Sequence, residues 1–158
     1  MSVSQEQFRA ALSRWASGVT IVTSRHREEV RGMTVSAFSS VSLDPPLVLV
    51  CADRASDTRS VIDRSGVFAV HVLGREQGEL SALFADKARE EERFLDLPVE
   101  EGATGAPILP GALVALDCRV VARHEAGDHL IYVGHVEAAR IGEGEPLLYY
   151  RGRYRELR

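Results

Sequence analysis

Apolar and polar residues change their spacing several times along the chain, and each change marks an element. Ser4 and Gln7 stand at capping-box spacing, and Phe8, Ala11, Leu12 and Trp15 recur at helical intervals, which predicts a short amphipathic helix stopped by Gly18. Val19 to Ser24 (VTIVTS) is β-branched up to its last residue and reads as a strand, with the charged run Arg25 to Arg31 as a hairpin loop. From Gly32 to Val50 (GMTVSAFSSVSLDPPLVLV), small and hydroxylated residues alternate with apolar ones until Asp44-Pro45-Pro46 turns the chain into an apolar strand, Leu47 to Ala52. With few bulky side chains over it, that stretch leaves backbone groups free to face a flat polar ligand. A strand with a bulged, Ser-rich edge that binds nothing fits the same pattern.

A polar loop from Asp53 to Thr58 leads into a helix carrying Val61 and Ile62 and ending at Gly66. Val67 to Leu73 reads as a strand, and Glu79 to Ala85 as a helix with Leu80, Leu83 and Phe84 inward. Between Asp86 and Pro110 the pattern dissolves into charge, Gly and Pro, as in a long surface excursion. Leu113 to Glu125 and His129 to Ile141 are two long β-rich runs joined by a tight turn at Ala126-Gly127-Asp128, and a last strand, Leu147 to Arg151, precedes the tail GRYRELR. Hairpins with a few short helices, and no strand-helix-strand rhythm, predict a mainly β fold: an antiparallel barrel with helical decoration.

A chain of 158 residues, 45% of them hydrophobic, suits one domain with a real core. The formal charge of −4 argues against nucleic acid or an anionic membrane as partner. Neither a signal-peptide pattern nor a membrane-length apolar run is present, so a cytoplasmic protein is expected. Cys51 and Cys118 sit in apolar strand-like runs and read as reduced, buried thiols. Lys87 is the one lysine.

GxGxxG, GxxxxGK[ST] and GxSxG are all missing, which disfavours Rossmann, P-loop and hydrolase sites. His124, His129 and His135 share one hairpin, but their spacing is not that of a zinc site. His129 follows the turn directly, where it either leans over a pocket mouth or stands in solvent. Ser56 and Thr58 either offer hydroxyls and helix N–H groups to a phosphate or simply cap their helix. Arg151, Arg153, Arg155 and Arg158 form a basic tail whose alternation puts the first three on one face, as an anion site or a solvated edge, and Tyr154 between them could stack on a ring or pack at a subunit interface.

The succession GVTIVTS, GMTVSAFSSVSLDPPLVLVC, a Ser/Thr loop, GDHLIYVG and PLLYYRGRY resembles the short-chain flavin reductases of two-component monooxygenases, from about Phe8 to Tyr154. The resemblance implies an FMN-binding split barrel and a homodimer. It also implies reduction of FMN or FAD by NADH or NADPH, with reduced flavin passed to a separate monooxygenase. It puts Thr34, Val35, Ser36 and Ala37 along the isoalloxazine, and Ser39 and Ser40 near its polar edge or the ribityl chain. Cys51, Asp53, Ser56 and Thr58 would line the ribityl-phosphate path, with Asp53 standing where the family often has Asn. His129 would sit at the nicotinamide side, and Phe84, Lys87, Arg93 and Phe94 by the distal flavin or the dinucleotide. The absence of a catalytic triad agrees, because hydride transfer between stacked rings needs position more than acid-base chemistry. Two other readings are a non-catalytic flavin- or haem-binding module, as carrier or sensor, and a pyridoxine phosphate oxidase-like barrel, which would need a fuller basic phosphate site.

Overall fold

The computed structural model describes residues 2–158. Its main sheet has seven antiparallel strands in the order β3-β2-β6-β9-β10-β5-β4. These are β2 (Thr20–His26), β3 (Glu29–Val35), β4 (Phe38–Ser42), β5 (Leu47–Asp53), β6 (Val67–Val72), β9 (Val114–Ala126) and β10 (His129–Ile141). The outermost strands, β3 and β4, follow each other in sequence with only Ser36 and Ala37 between them. With two residues between them, the last Cα of β3 and the first of β4 lie no more than about 11 Å apart, so the sheet must roll until its edges nearly meet. The edges do not pair, and the result is an antiparallel split barrel, as expected.

Side-chain alternation fills both sides of this roll. Ile21 and Val22 are neighbours on β2, yet Val22 packs inside with Val50, Phe68, Leu130 and Tyr132, whereas Ile21 packs outside with Leu73, Phe84 and Leu109. That is why the strand is β-branched without a polar face. Gly134 on β10 admits Phe68: a Cβ there would stand 2.5 Å from the ring. Helix α2 (Asp57–Ser65) covers the interior through Ile62, and α3 (Gly78–Ala85) covers the outer cluster through Phe84. Among the described residues no helix is long and apolar enough to cross a membrane.

Several boundaries differ from the sequence expectation. Helix α1 (Gln5–Leu12) has the expected Ser4–Gln7 capping box but ends early, and Gly18 lies instead in the short strand β1 (Ser17–Gly18), paired with β11 (Leu148–Tyr150). The hairpin loop expected over Arg25–Arg31 shrinks to a turn, because Arg27 takes a left-handed φ of 56° and cross-strand pairing runs on to His26 and Glu29. The last strand does not continue: Arg151 (φ 50°) and Gly152 (φ 73°) reverse it into β12 (Arg153–Arg155), so Arg151 shares no strand face with Arg153 and Arg155. Cys118 is buried, but Cys51 is only half-buried, and both thiols are free.

The expected excursion over Asp86–Pro110 is anchored. It contains a 3-10 turn over Lys87–Glu92 and the small hairpin β7 (Glu100–Glu101) and β8 (Pro107–Ile108), and Arg93, Ala106, Ile108 and Leu109 are buried. The apolar run Ala106-Pro107-Ile108-Leu109 is too short for periodicity to reveal.

One anchor is His71 on β6, which is fully buried. Its Nδ1–H donates to the Ile21 carbonyl at 3.0 Å, and its Nε2 accepts from the Leu109 N–H at 3.0 Å. Only the neutral ring can do both. Burial lowers its pKa from 6.5 to about 4, outweighing the Ile21 hydrogen bond and the Asp117 charge, which raise it. The unfolded chain therefore binds a proton in a window where the folded chain refuses it, so this stabilisation is complete above 6.5 and is lost as the pH falls towards 4. Urea unfolding should show a loss of about 2 kcal/mol from this group between about pH 7 and about pH 5. His71→Gln should be less stable at neutral pH but have a correspondingly flatter pH dependence; equal slopes would rule His71 out as the cause.

Candidate functional site

The split in the barrel opens into a cavity of about 320 Å³. Its floor is the end of β3 (Met33, Thr34, Val35) and the link Ser36-Ala37, with Cys51 and Asp53 of β5 alongside. The link carries the cavity's most available donors. The Ala37 carbonyl accepts from the Cys51 N–H at 3.0 Å and the Ser36 carbonyl from the Phe38 N–H at 2.9 Å, while the N–H groups of Ser36 and Ala37 have no partner among the described residues. They lie in the link at the open seam, outside every strand ladder.

The N-terminus of α2 forms one wall through Ala55, Ser56 and Asp57. Ser56 caps the helix, accepting from the Arg59 N–H at 3.3 Å, and its hydroxyl lies 3.2 Å from the Met33 sulfur. Asp53 holds the turn before it, its Oδ1 accepting from the Ala55 N–H at 2.8 Å. His129, the first residue of β10, stands opposite Asp53 in the β5–β10 ladder and forms the rim. Its Nδ1 is 2.7 Å from Asp128 Oδ1, and this hydrogen bond, with the charge of the imidazole, lowers the Asp128 pKa.

Phe84 and Ala85 of α3, Lys87 and Glu90 of the 3-10 segment and Arg93 just after it form the far side. The last three stand three apart in sequence, across a kink at Arg89 (φ −111°) that breaks the 3-10 geometry. Arg93 is buried, donating through NH1 to the Gly32 carbonyl at 2.7 Å and through NH2 to the Asp86 carbonyl at 2.9 Å. Burial lowers its pKa, against the raising effect of Glu90 and Asp86. With its two NH groups committed, Arg93 fastens the segment to β3 and leaves Lys87 as the cavity's available cation.

Of the residues singled out from sequence, Thr34, Val35, Ser36, Ala37, Cys51, Asp53, Ser56, Phe84, Lys87, Arg93 and His129 line this one cavity. Five do not. Ser39 and Ser40 lie beyond the link on exposed β4, Ser39 in a neighbouring groove, because the chain has already crossed to the other sheet edge. Thr58 is buried in the first turn of α2, and Phe94 packs edge-on against Phe84, with ring centroids 5.2 Å apart. Tyr154 reaches a side cavity, where its hydroxyl is 2.8 Å from Ser81 Oγ. Sequence reasoning missed Met33, Ala55, Asp57, Ala85 and Glu90 as lining residues.

The cavity thus combines unpaired backbone donors, a helix N-terminus, one available lysine and a rim histidine. Residues 12–158 match the model of the flavin reductase like domain. The chain belongs to this family. It is 45% identical to an NADH-dependent flavin reductase of a Rhodococcus species over 94% of this chain and 84% of that protein. It is 42% identical to the reductase component of 4-hydroxyphenylacetate 3-monooxygenase from Thermus thermophilus over 97% of each. An NADH:FAD oxidoreductase of Streptomyces globisporus, solved in complex with NAD and FAD fragments, superposes with a TM-score of 0.90 at 34% identity, covering 100% of this chain and 97% of that one.

Arg93→Met should lower stability by about 2–4 kcal/mol, because the Gly32 and Asp86 carbonyls lose their donors in a buried setting. Arg93→Lys should recover only part, since an ammonium cannot reproduce the guanidinium's fixed fork. Urea midpoints of the three proteins test this, and a loss below about 1 kcal/mol for the Met variant would contradict it.

Proposed function

We propose that this flavin reductase takes hydride from NADH or NADPH, delivers it to FMN or FAD in the seam cavity, and passes reduced flavin to a separate monooxygenase. The observation that carries the assignment to this cavity is the pair of unpaired N–H groups at Ser36 and Ala37, in a floor of mostly small side chains. They suit the acceptor-rich edge of a planar heterocycle, which is the fit a flavin requires. Bound flavin supplies the hydride-accepting centre.

In this reading the protein's work is positional and electrostatic. Ser36 and Ala37 donate to the ring edge, favouring the extra negative charge of the reduced ring without a charged side chain. The N-terminus of α2 and Lys87 hold the phosphate end, while Asp57 and Glu90 limit how strongly an anion is held. A modest hold suits a protein that must release its product. His129 orients the nicotinamide at the rim, with Asp128 fixing its Nδ1.

The chain is read as one domain over 1–158, of which Met1 lies outside the described residues. Two free cysteines support a cytoplasmic setting. A homodimer is supported by α1, none of whose residues is buried: Phe8 and Leu12, with Trp15 just beyond, are all more than half exposed. Leu12 and Trp15 border a groove of about 550 Å³ that shares Ser36, Ala37 and Cys51 with the seam cavity.

Purified protein given FMN or FAD should oxidise NADH or NADPH, and no flavin-dependent oxidation of either would sink the proposal. His129→Ala should lower kcat about tenfold or more while leaving flavin affinity within about twofold. An unchanged rate would favour a nicotinamide side built without His129. In sedimentation the wild type should run at twice the chain mass and Trp15→Glu at the chain mass; a monomeric wild type would overturn the dimer.

A further inference from the structure

Asp63, near the end of α2, accepts three hydrogen bonds from groups spread over two parts of the fold. Its Oδ1 takes the Tyr132 hydroxyl at 2.6 Å and Arg123 Nε at 3.0 Å, and its Oδ2 takes Arg59 NH1 at 2.6 Å. Tyr132 and Arg123 are Cα partners across the β9–β10 ladder, so one carboxylate binds a cross-strand pair. Tyr132 is 1% exposed, and it follows His129 by three residues on β10. Burial and its bond to Asp63 push its phenol up to about 12, keeping it a proton donor. On the helix side, Arg59 belongs to the first turn, where its own N–H is the one that Ser56 caps.

The two walls of the cavity therefore meet again behind it. We infer that Asp63 is a positioning residue: through Tyr132 and Arg123 it fixes the N-terminus of α2 at a set distance from the strand that carries His129. Of the two elements joined, β10 is held on both sides by β5 and β9, whereas α2 lies on the sheet as a separate helix of nine residues. Loosening the tie displaces the helix, not the strand. The loss then falls on whatever the helix N-terminus holds, the phosphate end of the flavin, and not on hydride transfer at the rim. The inference rests on the flavin reading of the cavity.

Asp63→Asn keeps the shape but puts an amide N–H₂ where a donor must be accepted, and Tyr132→Phe removes one donor while keeping the ring. Flavin affinity, read by fluorescence without nicotinamide, should weaken about tenfold in Asp63→Asn and less in Tyr132→Phe, with kcat at saturating flavin within about twofold of wild type. A purely structural role would lower the urea midpoint and leave flavin affinity intact, and that result would overturn the inference. So would a fall in kcat with affinity unchanged. If the Asn variant does not fold, Tyr132→Phe decides on the same readout. Wild-type protein that neither binds flavin nor oxidises nicotinamide would instead overturn the flavin reading itself.

Discussion

Two residues, Ser36 and Ala37, have to connect opposite edges of one seven-stranded sheet, and most of the architecture answers to that constraint. The roll it imposes brings β3 beside β5 and gives β2 two buried faces. The two edges nevertheless stay unpaired. An edge that cannot pair is usually a liability, to be covered or charged. Here a helix N-terminus, a rim histidine and a 3-10 segment surround it without filling it, and the two unpaired donors of the link stay open to the cavity.

The elements around that opening are tied to one another by single side chains. Asp63 spans the back, Arg93 fastens the 3-10 segment to the Gly32 carbonyl, and His71 pins the stretch around Leu109 to β2 and β6. In each case a side chain from one element satisfies the backbone or the polar atoms of another. All three anchors are groups whose removal strands a partner, so their energetic weight comes mostly from what would be left unpaired.

Much of this was legible in the sequence. The alternation in β9 and β10, the turn at Gly127-Asp128 and the strand at β2 were readable because their patterns are long or chemically marked. Thr34 to Ala37, Asp53, Ser56 and His129 were traceable through their motifs to one cavity. What sequence could not show were facts of long-range pairing: that β3 and β4 are opposite edges, that Tyr154 turns to Ser81, and that Thr58 is buried in its helix. A left-handed turn at Arg151 is equally silent, because arginine carries no turn signal of its own. The segment from Asp86 to Pro110 misled because most of its charges are exposed while single residues, among them Arg93 and Leu109, are buried.

Lys87, the chain's only lysine, lies in the cavity wall and is exposed. Reagents that acylate or reductively alkylate amines therefore find, apart from the α-amino group, one side chain on the whole molecule. A label or surface coupling attached through amine chemistry would be set down at the mouth of the site, a natural address for a reporter and a poor choice for immobilisation.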